Sequence, residues 1–250
     1  MKNSIKLFNK KFIYPVLSVF IFWYVLHKML NSFIVPNPFY VLYRFKETAL
    51  PKLLIHVVFS GFRLFISLSI TIILGYFIGL FTGINEKLDN LISPILYLFF
   101  PIPRIAFLPV FMILFGLGDL SKIILIIAIS IFQVIITTRD ATKQIPLDLI
   151  LSARSLNLSK GEMLKHIYIP ATLSKLFTSI RIALGSSMAA LFFAENYATK
   201  YGIGYFIMNS WVKVDYEEMY CGIIAISMLG IGLFKLIDIV QRKICKWESI

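Results

Sequence analysis

The sequence predicts an all-α membrane protein with about six transmembrane helices. Composition is the first reason: 58% of the 250 residues are hydrophobic and mean hydropathy is +0.82, more apolar surface than a soluble domain of this size needs. Length is the second. Several stretches reach the roughly 18–20 apolar residues that cross a bilayer as a helix, which satisfies its own backbone in lipid. Charge is the third, because the net +12 is unevenly placed. With the N-terminus inside, Lys2, Lys6, Lys10, Lys11, Lys87, Arg139, Lys143, Arg154, Lys160, Lys165, Lys175, Arg242, Lys243 and Lys246 fall on cytoplasmic segments. The outer segments hold Arg44, Lys46, Lys52, Lys122, Lys200 and Lys213. That asymmetry is the positive-inside pattern and places both termini in the cytoplasm. No basic patch interleaved with aromatics sits on a soluble domain, which argues against nucleic acid as a partner.

The elements follow in order. Residues 1–11 form a basic tail. The first span, about 12–30, is aromatic-rich, too long and too poor in small residues at a cleavage site to be a removable signal peptide. Val35-Pro36-Asn37-Pro38 reads as an extended break, and 39–50 as an interfacial amphipathic helix. The second span, 57–83, carries Gly75, Gly79 and Gly83 at helical spacing, a face on which a neighbouring helix can approach closely. Arg63 lies in its outer half, where it snorkels or pairs within the bundle. In the third span, 91–115, Pro101, Pro103 and Pro109 remove backbone donors and free carbonyls in mid-membrane, which is tolerated only against protein or a watery cavity. Arg104 beside that break costs roughly 2.5–3.5 kcal/mol at the bilayer centre. It is therefore either a pathway residue or a structural tie to the freed carbonyls. The fourth span, 120–138, has no charge after Lys122 at its outer end. The fifth, 174–196, brings Arg181, Ser186, Ser187 and Glu195, and a Tyr-rich outer loop, 197–217, leads to the sixth, 218–240. Pro103, Arg104, Ser186 and Ser187 are the candidates for lining a translocation pathway. The whole chain, 1–250, reads as one membrane domain.

Between spans four and five lies a polar insertion, 146–171, with the signature of a helical hairpin. Pro146 suits position N1 of a first short helix and Asp148 its first turn, where a carboxylate meets the positive end of the dipole. Asn157 falls where a left-handed residue would end that helix. Ser159 and Glu162 form an S-x-x-E capping box for a second helix, and Pro170 marks a bend before the next span. A polar hairpin hung between spans is either an ordinary loop folded on its own surface or a docking element for a soluble partner.

This hairpin resembles the "EAA" loop of ABC importer permeases: Leu151-Ser152-Ala153, three residues, Asn157, then Ile169-Pro170. Leu151 stands in place of the family's Glu and Asn157 in place of its Gly, a substitution that keeps φ > 0 accessible. The wider order is similar to permeases of nitrate, sulfonate, taurine and thiamine-precursor importers, through Val35-Pro36-x-Pro38, Ser60-x-x-Arg63, Ile102-Pro103-x-x-Ala106-x-x-Pro109, Phe115-Gly116-x-Gly118, Arg181-x-Ala183-x-Gly185 and Ala194-Glu195 with Gly202-x-Gly204-Tyr205. The resemblance implies a type I importer permease fold in a bacterial inner membrane. It implies a coupling helix seated in an ATPase subunit, with Leu151, Ser152, Ala153, Arg154, Leu156, Asn157, Ser159 and Lys160 as coupling residues. It also implies an ATPase pair that uses ATP and Mg, a second permease copy, membrane lipid around the spans and an extracytoplasmic solute-binding protein.

The chain supplies no chemistry of its own. A phosphate-cradling G-x-x-x-x-G-K-[ST] run is absent, since Gly83-Ile84-Asn85-Glu86-Lys87 lacks the second Gly and the hydroxyl. No cofactor and no metal site is expected, because His27, His56 and His166 are scattered. Cys221 and Cys245 lie near opposite ends of the last span, too far apart for a disulfide. An ion-coupled carrier would need paired intramembrane acids. An intramembrane serine protease would need a His within reach of Ser186 or Ser187. The spans hold almost no acids, with Glu195 at an edge, and the histidines lie in the cytoplasmic loop or at outer span ends. A non-enzymatic permease is therefore the expected role, with an ion-coupled carrier as the alternative and the protease a remote one.

Overall fold

The computed structural model describes residues 2–249, with the side chains of 14–47 and 49–247. The side chains of Lys2, Lys6, Lys10 and Lys11, part of the charge argument above, lie outside that set. Every regular element among the described residues is helical. The order is α1 (Lys2–Leu30), α2 (Pro38–Arg44), α3 (Leu50–Ile84), α4 (Glu86–Phe99), α5 (Leu108–Phe115), α6 (Asp119–Lys143), α7 (Leu147–Ser155), α8 (Lys160–Met163), α9 (Ile169–Glu195), α10 (Ile203–Val212) and α11 (Tyr216–Ile244).

Short polar side chains set the helix starts. Asn37 Oδ1 accepts the Phe39 N–H at 2.9 Å to open α2, with Pro38 at a position whose missing donor costs nothing. Asn85 is extended and accepts the Lys87 N–H at 3.0 Å, ending α3 and starting α4 in one residue. Asp215 accepts the Glu218 N–H at 3.0 Å and starts α11.

The centre of the bundle is α3 against α6, with α9 packed on α6 and reaching α3 as well. A Cβ added at Gly79 would stand 2.5 Å from the Ile135 carbonyl oxygen, and one at Gly83 2.5 Å from Thr142 Cβ. At Gly75 the nearest atom would be Val134 Cβ at 3.0 Å. The two backbones therefore touch along this stripe. Hydroxyls join the same seam: Thr71 Oγ1 and Ser130 Oγ lie 2.8 Å apart, and Ser67 Oγ donates to the Ile123 carbonyl at 3.3 Å. Between helices in lipid, close approach and hydrogen bonds replace the hydrophobic drive that water would supply. Around this centre α10, α11 and α2 close a second cluster on Val41, Leu53, Ile203, Phe206, Cys221 and Ala225.

Four helical stretches are long and apolar enough to cross a membrane: Leu50–Ile84, Asp119–Lys143, Lys160–Glu195 and Tyr216–Ile244. The third expected span is broken where its prolines place the break. Pro101 and Pro103 split it into α4 and a segment ending in α5, bent by 83°. The first expected span contributes the shorter apolar stretch Tyr14–Leu30. Two expectations need correction. The 39–50 segment is α2 plus a π turn, Phe45–Ala49, that runs directly into α3. Pro170 does not bend the chain away. A π turn, Leu164–Tyr168, precedes it, and the widened turn absorbs the donor that proline lacks, so helix continues from Lys160 to Glu195.

Candidate functional site

The hairpin is built as two short helices about one left-handed residue. Asn157 has φ +55°. The Leu158 N–H reaches back to the Ala153 carbonyl at 3.4 Å and the Asn157 N–H to the Arg154 carbonyl at 2.9 Å. This pair of bonds is a Schellman motif, closing α7 on itself. Ser159 then caps α8. Its Oγ accepts the Glu162 N–H at 3.3 Å while a Glu162 carboxylate oxygen accepts the Ser159 N–H at 2.8 Å. Ser159, through its side chain first and its amide second, holds the Glu162 carboxyl below the usual range. Pro146 sits one residue earlier than expected, as the N-cap with ψ 134°, and Leu147 is the first helical residue.

Of the residues assigned to coupling, Leu151, Ser152, Arg154, Leu156, Asn157, Ser159 and Lys160 are exposed, and Leu156 is 75% exposed. Leu147 and Leu149 extend the same apolar surface. Ala153 is buried at 4% and turns toward the bundle. Behind the hairpin lies an open cleft of about 820 Å³ walled by Phe81, Ile84 and Leu88 on one side and Leu158, Met163, Leu164 and Tyr168 on the other, with Arg154 and Lys160 at its edge. The hairpin thus stands off the bundle as an apolar knuckle with basic flanks.

The pathway candidates fall into two unconnected pairs. Arg104, beside Pro103 at the break, donates to the carbonyls of Phe99 at 3.1 Å and Phe100 at 2.5 Å, where α4 runs out, and to Ile129 on α6 at 3.2 Å. Its guanidinium also lies 4.6 Å from the Phe132 ring centroid. Those bonds are a tie to freed carbonyls. Ser186 faces outward on α9 and donates to the Ala183 carbonyl at 3.0 Å. Ser187 is fully buried, and its hydroxyl has no hydrogen-bond partner among the described residues. No hydrogen bond joins Arg104 to either serine among the described residues.

A second polar site lies where α3, the start of α6, the end of α9 and the start of α10 meet. Glu195 is fully buried. It accepts from Arg63 Nη1 at 2.5 Å, from Ser60 Oγ at 2.8 Å and from the Gly204 N–H at 2.9 Å. Ser60 Oγ in turn accepts the Ile203 N–H at 2.9 Å, and His56 Nδ1 the Gly202 N–H at 3.0 Å. The first amides of α10 are therefore satisfied by side chains from α3 and α9, with a carboxylate at the positive end of the dipole. Arg63 spends its other edge on Asp119 Oδ1, at 2.8 and 2.6 Å. A Cβ at Gly202 would fall 2.4 Å from Glu195 Cδ, so only glycine lets the loop pass over the carboxylate. Sequence reading assigned no role to Glu195, Ser60 or His56. The available signal was the rule that intramembrane charges pair, together with Ser60 and Arg63 three residues apart on one helix face.

Residues 71–247 match a family described as binding-protein-dependent transport system inner membrane component. Among curated proteins, the chain is similar to SsuC of Bacillus subtilis, named for aliphatic sulfonates transport, with 27% identity over 222 residues, 88% of this chain and 80% of that one. It is similar to the taurine transport system permease protein TauC of Escherichia coli at 27% identity over 194 residues, 78% and 70% of the two chains. The bicarbonate transport system permease protein CmpB of Synechococcus elongatus is 29% identical over 179 residues, 71% and 64% of the two chains. Among solved structures, an inward-facing form of the MetNI methionine ABC transporter superposes with a TM-score of 0.60 at 18% identity, covering 78% of this chain and 97% of that chain.

Proposed function

Because the chain belongs to the binding-protein-dependent transport inner membrane component family, and is thus a non-enzymatic, multi-pass permease subunit of the inner membrane, we propose that it forms half of the solute pathway in an ATP-driven importer. The observation that carries this reading is the exposed knuckle around Asn157, rigidly capped at both ends and presenting Leu147, Leu151 and Leu156 away from the bundle. Apolar side chains held in that way are suited to a groove on a soluble ATPase. Two copies of the chain face an ATPase pair, with both hairpins and both termini in the cytoplasm. ATP and Mg are bound and used by the ATPase, not by this chain. ATP-driven closure of that pair draws the hairpins together and rocks the spans from inward-open to outward-open. A solute-binding protein delivers the ligand to the opposite face, near 35–50 and 197–217. The names of the similar permeases favour a small anion of the sulfonate, taurine or bicarbonate kind, or a thiamine precursor. The geometry at Arg104 supports a tie that fixes the broken span rather than a contact with solute.

The test is reconstitution with the ATPase and binding protein, comparing Asn157→Val with Asn157→Gly. Valine at φ +55° costs about 1–3 kcal/mol locally and deforms the Schellman turn. Asn157→Val should retain ATP hydrolysis but lose most uptake, while Asn157→Gly transports normally. Full uptake by the valine variant, or uptake with no ATPase present, would refute the coupling role.

A further inference from the structure

The cleft behind the hairpin is apolar on its walls and charged at its edge. Phe81, Ile84 and Leu88 line it where α3 gives way to α4, and they are 46%, 38% and 36% exposed. Leu164 and Tyr168 line the other side, at the start of the span that ends at Glu195. Apolar side chains left open over a space of about 820 Å³ call for a cover. Arg154 and Lys160 stand at the edge on the hairpin and Glu86 on the first turn of α4, two cations against one acid. None of the three is ion-paired among the described residues. Depth separates the two characters. The Asn85-Glu86-Lys87 turn joins two apolar stretches and so marks the inner surface of the bilayer. The helix Lys160–Glu195 has 36 residues, about 54 Å against a hydrocarbon core of about 30 Å. With Glu195 at the outer border, its first turns, Lys160 included, extend past the acyl region. The space is thus apolar at the level of acyl chains and cationic at the level of phosphates.

We propose that this cleft is a site for one phospholipid of the inner leaflet, its acyl chains against Phe81, Ile84, Leu88 and Leu164 and its phosphate between Arg154 and Lys160. Cationic side chains at that depth favour an anionic head group over a zwitterionic one. The lipid wedges the hairpin at a fixed distance from the spans, so inner-leaflet composition tunes coupling. Leu147, Leu151 and Leu156 do not line the cleft and stay available to the soluble partner. The leaflet assignment rests on the reading that puts the hairpin in the cytoplasm, and the site itself on the chain's own residues. A free phosphate matches the head-group chemistry but gains nothing from the apolar walls.

The probe is dioctanoyl phosphatidylglycerol, titrated at constant ionic strength against the full chain in dodecyl maltoside. Dioctanoyl phosphatidylcholine and glycerol 3-phosphate are the controls, and thermal unfolding is the readout. A binder of the folded state raises Tm saturably. Wild type should show a saturable rise with phosphatidylglycerol, a weaker-binding one with phosphatidylcholine and none with glycerol 3-phosphate. Two variants locate the site. Gly161 lines the cleft, and a Cβ there meets nothing within 4 Å, so Gly161→Phe fills the space without a clash and should abolish the rise. Arg154→Gln with Lys160→Gln should raise the half-saturating concentration of phosphatidylglycerol about fivefold for each charge removed. No saturable rise in wild type, or a curve unchanged by either variant, overturns the proposal. Should Gly161→Phe fail to fold, the charge variant decides, an unchanged curve counting against the site. An equal rise with glycerol 3-phosphate makes the occupant free phosphate, and loss of the response on adding the ATPase gives the cleft to that subunit; either result defeats the lipid site. The titration itself involves no ATPase and no transport. Its failure leaves the coupling reading standing, and normal uptake by Asn157→Val would leave this binding intact.

Discussion

Glu195 and Arg63 show how much one buried pair can carry. The carboxylate, at the end of α9, has no solvent to fall back on, and its partners come from α3 and α10. Removing Arg63 leaves Glu195 buried without its cation, which costs about 3–5 kcal/mol, whereas removing Glu195 still leaves Arg63 paired with Asp119. Arg63→Leu should therefore lower Tm strongly. Glu195→Gln should be milder, since the amide oxygen still accepts from Gly204 and Ser60. Equal, small losses in both variants by thermal unfolding would mean that the network is not what pins α10. A second ion pair sits outside the spans. Burial alone would raise the Asp215 carboxyl, but the bonds from Arg44, both 2.6 Å, and from the Glu218 amide outweigh it and hold it below the usual carboxylate range. The same hydrogen bonds push Arg44 above its ordinary value. A carboxyl depressed on folding contributes stability fully above its unfolded value of about 4, and loses it as pH falls through the lower folded value. The Tm of wild type should thus drop more steeply below about pH 4 than that of Asp215→Asn. Parallel curves for the two proteins would remove the Arg44–Asp215 pair from the acid response.

The helices and turns that were legible in the sequence are those governed by local chemistry. The Ser159–Glu162 box and the left-handed residue at 157 follow from side chains a few residues apart, and the structure has both geometries. What was not legible depended on neighbours. Pro170 is accommodated because a π turn forms ahead of it, and Pro146 caps rather than starts α7. The bend between α4 and α5 could be placed from its prolines, but its 83° angle could not. At that bend Arg104 answers carbonyls that proline chemistry left open. Losing such charge-assisted bonds costs about 1.5–3 kcal/mol each where they are well formed. Arg104→Leu should lower Tm along with uptake. An unchanged Tm with reduced uptake would shift Arg104 to a contact with solute. The α3–α6 seam gives a cleaner contrast. Gly79→Ala drives a Cβ to within 2.5 Å of a backbone oxygen that cannot rotate away, an overpacking of about 1–3 kcal/mol. At Gly61 the nearest atom would be the Leu229 side chain at 3.6 Å, ordinary contact, and Gly61→Ala should be neutral or stabilising. Matching effects at the two positions would deny the seam its close approach.

At the scale of the whole molecule, the sequence disclosed a helical membrane chain but not which faces remain open, because both lipid and a partner tolerate apolar side chains. On α9 one stripe separates the two cases. Ile182 and Phe193 are 56% and 50% exposed, and Gly185, Ser186 and Ala189 between them are also exposed. A face meant for lipid alone has no use for small and hydroxyl residues, whereas a helix contact or a solute path does. A Cβ at Gly185 would meet nothing within 4 Å, so Gly185→Leu is free of clash in the single chain. It also replaces a poor helix former with a good one. The isolated chain should then fold as well as wild type, with an unchanged or raised Tm. The assembled transporter should not tolerate the substitution if this stripe faces the second copy or the path between the two. Reconstituted vesicles should show uptake reduced about tenfold or more, the loss of roughly 1.4 kcal/mol of assembly or transition-state free energy. Size-exclusion of the complex distinguishes a broken dimer from an intact but blocked one. Normal assembly together with normal uptake would place the stripe against lipid and move the pathway to another face of the bundle.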